Sequence, residues 1–118
     1  MPSADLKISV LGSGAWGTAL AQLISKKSEV LLWVKEKKVK IEINQIHQNT
    51  KYLPSIKLSK NIVSTNNLED LETSDIIFLT VPVQYMSSIL KKIRKIIKDN
   101  VVFVCCSKGI EMNTLKLP

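Results

Sequence analysis

Three of the chain's four glycines fall in one turn, Gly12-Ser13-Gly14-Ala15-Trp16-Gly17. No other feature constrains the fold as strongly. The apolar run Ile8 to Leu11 precedes it and reads as a buried strand. Trp16, Ala19, Leu20 and Leu23 follow at helical spacing and predict one inward face. Strand, G-x-G-x-x-G turn and helix is the context in which that pattern signals dinucleotide binding. Gly12 permits the tight turn. Gly14 lets backbone approach a pyrophosphate, because no Cβ intervenes, and Gly17 lets the helix pack close to the strand. The helix start then offers unpaired N–H groups and the positive end of its dipole to an anion.

The rest of the chain repeats the alternation. The pattern predicts strands over 6–11, 29–34, 62–65, 76–81 and 101–105. It predicts helices over 15–26, 37–44 and 84–98, and a brief one ending at Leu71 that Asn66 or Asn67 could cap. Val39, Ile43 and Ile46 should share one side of the second helix. Residues 48–61 break the pattern at Asn49, Pro54 and Ser55 and read as a loop. Near-continuous apolar strands alternating with helices imply an α/β domain, a doubly wound parallel sheet covered on both faces. The expected strand order is 3-2-1-4-5, with the ligand at the switch point between the first and fourth strands. One domain over 1–118 is expected.

Charge needs a decision, because seventeen Lys and Arg against ten Asp and Glu leave a net +7. Such a balance can mark a nucleic-acid surface. Here aromatic content is only 5%, and the densest basic run, Lys91 to Lys98, interleaves with the apolar stripe Met86, Ile89, Leu90, Ile93 and Ile97. That is the solvated face of an amphipathic helix, so no nucleic-acid partner is expected. No apolar stretch approaches the ~20 residues of a membrane span, and the N-terminus lacks a signal layout. The expectation is a cytoplasmic protein with no membrane partner. Cys105 and Cys106 are adjacent, so on a strand they point to opposite faces, poorly placed for a disulfide; they read as small core residues, and two cysteines make no metal site.

An acidic residue that holds a ribose diol should stand about twenty residues past the glycines, at the end of the second strand. Trp33, Val34 and Lys35 occupy that place, and Glu36 comes one step late. Lys35, Lys37 and Lys38 stand near enough to meet a 2′-phosphate, or are plain surface charge, so the pattern leaves NAD and NADP both open. Pro82 ends the fourth strand, and Tyr85, just beyond, either stacks on a cofactor ring or packs in the core. Lys108, directly after the fifth strand, stands where a lysine can hold a phosphate as a point charge. His47 has no partner constellation and reads as a partly exposed helix residue.

Gly12-Ser-Gly-Ala-Trp-Gly-Thr-Ala-Leu-Ala21, Leu32-Trp-Val34, Asn49-Thr-Lys-Tyr-Leu-Pro54, Asn61-Ile62, Val81-Pro82 and Ser107-Lys-Gly109 occur in this order over nearly the whole chain. Together they resemble the NAD(P)-dependent glycerol-3-phosphate dehydrogenase family, in its amino-terminal Rossmann-type domain. The resemblance implies hydride transfer between dihydroxyacetone phosphate and sn-glycerol 3-phosphate with NAD or NADP. It implies that Ser13, Ala15, Trp16 and Pro82 line the cofactor with the three glycines, that Lys35 sits near the adenosine half, and that Tyr52 and Tyr85 border the site. Lys108 resembles the lysine that faces both cofactor and substrate phosphate. The family's proton-donating lysine lies in a helical C-terminal domain. No catalytic residue is therefore expected within 1–118, and the chain is expected to be the front portion of a longer, homodimeric enzyme. The rival readings are another two-domain dehydrogenase and a non-catalytic nucleotide- or RNA-binding module.

Overall fold

The computed structural model describes residues 6–12, 14–107 and 111–115. Strands β1 (Ile8–Leu11), β2 (Val30–Trp33), β3 (Ile62–Thr65), β4 (Ile76–Leu79), β5 (Val102–Ser107) and β6 (Glu111–Leu115) form one sheet in the order β3-β2-β1-β4-β5-β6. The first five run parallel in the expected 3-2-1-4-5 order. β1 is central, with Leu11 in register with Trp33 on one side and Leu79 on the other. β6 is an addition to the expected fold. It pairs antiparallel with β5, Ser107 opposite Glu111. Its sequence, Glu-Met-Asn-Thr-Leu, has no apolar run of the kind that reveals a strand buried on both faces.

Helices α1 (Ala15–Ile24) and α2 (Lys37–Ile46) lie on one face of the sheet, over a core of Val10, Ala21, Leu32, Val39, Ile43 and Ile62. Helix α3 (Val83–Ile93) and a 3-10 helix (Leu68–Thr73) cover the other face around Leu11, Leu71, Ile77, Leu79, Ile93 and Phe103. Fully burying a side chain of this size stabilises by ~1.5–3 kcal/mol, so these two clusters hold the layers together. Asn67 caps the 3-10 helix by accepting from the Glu69 amide at 3.0 Å. On α3 the expected stripe is buried at Met86 and Ile93, with Ile89 and Leu90 beside them. The helix ends at Ile93, short of the expected 98, where the Ile96 and Ile97 amides both turn to the Ile93 carbonyl; Ile97 packs on the core from beyond the helix.

Two expected faces are corrected. On α1 the buried residues are Gly17, Thr18, Leu20 and Ala21, while Leu23 is 60% exposed. The cause is Gly17. A Cβ there would stand 2.1 Å from the Gly12 carbonyl oxygen, so the helix is rotated to bring Gly17 against the turn. Positions three, four and seven further on, Leu20, Ala21 and Ile24, then meet the core, and Leu23 is carried outward. On α2, Val39 and Ile43 are buried but Ile46 is 49% exposed. The helix ends there on His47, left-handed at φ 57°, whose amide still donates to Ile43 and whose carbonyl accepts from Leu58. Both cysteines are free thiols on opposite faces of β5. Cys105 stands 3.2 Å from the Met86 sulfur, and burial, then the neighbouring Cys105, pushes the Cys106 thiol up.

Candidate functional site: the glycine turn and the carboxyl edge

The turn after β1 is locked from two sides. Gly12 has φ +129°, a conformation that disfavours side chains, and its amide donates to the Trp33 carbonyl at 3.0 Å. Thr80, the residue after β4, donates its hydroxyl to the Leu11 carbonyl at 2.9 Å. A Cβ on Gly12 would lie 2.5 Å from that hydroxyl oxygen, and one on Gly17 2.7 Å from it. Gly14 differs. It is exposed, a Cβ on it would meet nothing within 4 Å, and it stands at the N-cap of α1. No side chain caps that helix start and no acidic residue lies in its first turn. The space and the unpaired N–H groups fit an anionic group approaching Gly14.

The other expected site residues distribute along the same carboxyl edge. Ala15 is exposed. Trp16 is half-buried, with an indole N–H that finds no acceptor among the described residues. Pro82 is the exposed N-cap of α3, and Tyr85, one turn on, is 56% exposed. Packing of Tyr85 in the core is thereby overturned: it lies just before the buried stripe that begins at Met86. Lys35 is exposed past the end of β2. Ser13 and Lys108 lie outside the described residues.

Tyr52 is half-buried, and its hydroxyl donates to the Glu36 carboxylate, which also accepts from Lys51 Nζ at 2.8 Å. The Lys51 and Tyr52 hydrogen bonds hold the Glu36 carboxyl below its usual range, and Glu36 in turn raises Lys51. The loop carrying this pair is fastened by Asn49. That buried side chain donates to Thr18 Oγ1 on α1 at 2.8 Å and accepts from the Tyr52 amide at 3.3 Å. Past β2, Trp33 donates to the Asn66 carbonyl and Asn66 donates to that of Val34, each at 2.9 Å, so the ends of β2 and β3 are tied. A concavity of about 670 Å³ at the opposite, amino edge, lined by Lys7, Ser9, Leu31, Val63 and Ser74 among others, lies away from all of these. No group of three His, Cys, Asp or Glu that could hold a metal occurs among the described residues.

Sequence reasoning missed Thr80 and the partners of Glu36. Thr80 had a signal, since it follows the strand adjacent to β1. The Glu36 contacts join positions fifteen and sixteen residues apart across a loop and had none.

A glycine turn of this geometry, at the crossover of a 3-2-1-4-5 sheet, defines a Rossmann-type dinucleotide-binding domain. The chain belongs to the family described as NAD-dependent glycerol-3-phosphate dehydrogenase N-terminus, whose profile matches residues 7–118. It is 43% identical over 112 residues to a glycerol-3-phosphate dehydrogenase (NAD(P)+) of Erythrobacter litoralis, covering 94% of this chain and 33% of that protein. A relative of the same description from Neorickettsia sennetsu is 41% identical over 109 residues, covering 92% and 33%. Among solved structures, a glycerol-3-phosphate dehydrogenase from Saccharomyces cerevisiae superposes with a TM-score of 0.83 at 32% identity, over 91% of this chain and 35% of that one. One from Plasmodium falciparum gives 0.79 at 33% identity, over 86% and 32%. The chain spans about a third of the length of the curated relatives it matches.

Proposed function

We propose that residues 1–118 are the cofactor-binding domain of a larger enzyme that interconverts dihydroxyacetone phosphate and sn-glycerol 3-phosphate with NAD or NADP. The observation that carries this reading is the uncapped start of α1 beneath exposed, unobstructed Gly14, at the crossover between β1 and β4. The pyrophosphate would lie over Gly12, Ser13, Gly14 and Gly17, against Ala15 and Trp16. Lys35 and Tyr52 would border the adenosine end, and Pro82 and Tyr85 the nicotinamide side. Lys108 would hold the substrate phosphate beside the cofactor. The cofactor, when bound, supplies or accepts the hydride. Ketone reduction also needs a proton donor and a held substrate carbon, and both are assigned to the part of the enzyme beyond this chain. A homodimer in the cytoplasm is the setting that fits; no helix among the described residues is long and apolar enough to cross a membrane.

Titration with NADH and NADPH, read by the fluorescence of Trp16 and Trp33, tests the reading. Saturable binding that Gly14→Val abolishes in a folded chain supports it; equal binding by that variant overturns it. In a coupled assay with dihydroxyacetone phosphate, the 118-residue chain should turn over no faster than its Gly14→Val variant.

A further inference from the structure

From Trp33 to Val39 the chain carries one carboxylate, Glu36, among Lys35, Lys37 and Lys38. A free carboxylate past this strand would accept the hydroxyls of a ribose diol and repel a 2′-phosphate. Glu36 is not free. It stands at the N-cap of α2 yet makes no cap bond there, and its side chain is turned instead to the 49–53 loop, where Lys51 Nζ and the Tyr52 hydroxyl both donate to it. Lys51 lies 5.2 Å from the centre of the Tyr52 ring, which steadies its ammonium group. Asn49 fastens the loop to α1, so these partners are in place in the folded chain. Lys35, Lys37 and Lys38 are exposed.

Resting on the dinucleotide reading above, we infer that Lys51 is a specificity-determining residue. With Tyr52 it occupies and neutralises Glu36, and so leaves the edge past β2 positive and suited to a dinucleotide bearing a 2′-phosphate. Lys51 acts through Glu36 and need not touch the ligand. Lys51 stands fifteen residues beyond Glu36 in sequence, across a loop, which is why only the fold reveals the pairing.

The experiment compares dissociation constants for NADPH and NADH by tryptophan fluorescence in the wild-type chain, Lys51→Met and Lys51→Met/Glu36→Gln. Lys51 is 59% exposed at its side chain, so its replacement leaves the core intact; thermal melting checks this. In Lys51→Met the unmasked carboxylate should weaken NADPH relative to NADH by roughly fivefold, the effect of one charge at partly screened range. Removing that charge in the double variant should restore the wild-type ratio. An unchanged ratio in Lys51→Met, or a double variant that stays shifted, overturns the inference while leaving dinucleotide binding standing. A wild-type chain that binds neither nucleotide overturns the cofactor reading itself, and this inference with it.

Discussion

The Thr80 hydroxyl donates to the Leu11 carbonyl at 2.9 Å and stands 3.5 Å from the Gly12 carbonyl, so the end of β4 is bonded to the turn that leaves β1. Two neighbouring strands thus share one small group at the crossover where the helix start is presented. The Leu11 carbonyl also accepts from the Thr80 amide at 3.1 Å. Losing the hydroxyl therefore leaves no buried acceptor without a partner.

Thr80→Val should accordingly cost only about 1 kcal/mol of stability, the net worth of one hydrogen bond. Its effect on dinucleotide affinity should be larger, because a methyl group would replace the hydroxyl against Gly12 and Gly17. Thr80→Ser should retain wild-type affinity. Chemical denaturation and fluorescence titration separate the two quantities; equal losses in the Ser and Val variants would mean that the hydroxyl has no part in shaping the turn.

Glycines 14 and 17 should behave as opposites. Gly17→Ala forces a Cβ to within 2.1 Å of a backbone oxygen, an overpacking that costs about 1–3 kcal/mol or more. Gly14→Ala meets nothing within 4 Å and should leave stability within about 0.5 kcal/mol of wild type. Melting temperatures for the pair check this, and a drop for Gly14→Ala matching that of Gly17→Ala would refute the distinction.

Lys35→Glu should weaken NADPH far more than NADH, on the scale of one charge-assisted hydrogen bond, ~1.5–3 kcal/mol. Isothermal titration with both nucleotides reads the difference. Equal effects would make Lys35 ordinary surface charge.

Acid should loosen the amino edge of the sheet. The Lys7 amide and the Lys98 ammonium, bonded to Asp75 at 2.8 and 2.5 Å, hold its carboxyl below the usual range. A depressed folded-state pKa gives stability that is present above the unfolded value and lost as pH falls through the folded one. Stability should be flat from neutrality to about pH 5, then decline below about pH 4, where carboxylates ordinarily protonate. Asp75→Asn should be less stable at pH 7 and show a shallower acid decline; an acid profile identical to wild type would count against Asp75. Glu36 and Glu42, lowered respectively by Lys51 with Tyr52 and by Thr50, add to the same decline.

The central strands and their order were legible because buried parallel strands announce themselves as unbroken apolar runs, and the glycine turn marks where the winding begins. β6 was not, because an edge strand of mixed composition carries no such run. The face of α1 was misjudged by one position, since apolar spacing alone cannot register that Gly17 must abut the Gly12 carbonyl. The residues around the turn could be named from their motif. Their supports, Thr80 beneath the glycines and Lys51 beside Glu36, are joined by tertiary contact, on which local pattern is silent.

The Asn49 side chain bonds the 49–53 loop to the glycine helix through Thr18. On the cofactor placement proposed above, the wall beside the adenosine end is therefore a jamb and not a door. Ordering a mobile side chain on binding costs about 0.5–1.5 kcal/mol each; here that ordering is completed during folding, before any nucleotide arrives. Amide exchange across 49–53 should be as slow in the free chain as in the bound one, and the adenosine end should dock first, onto a surface already rigid.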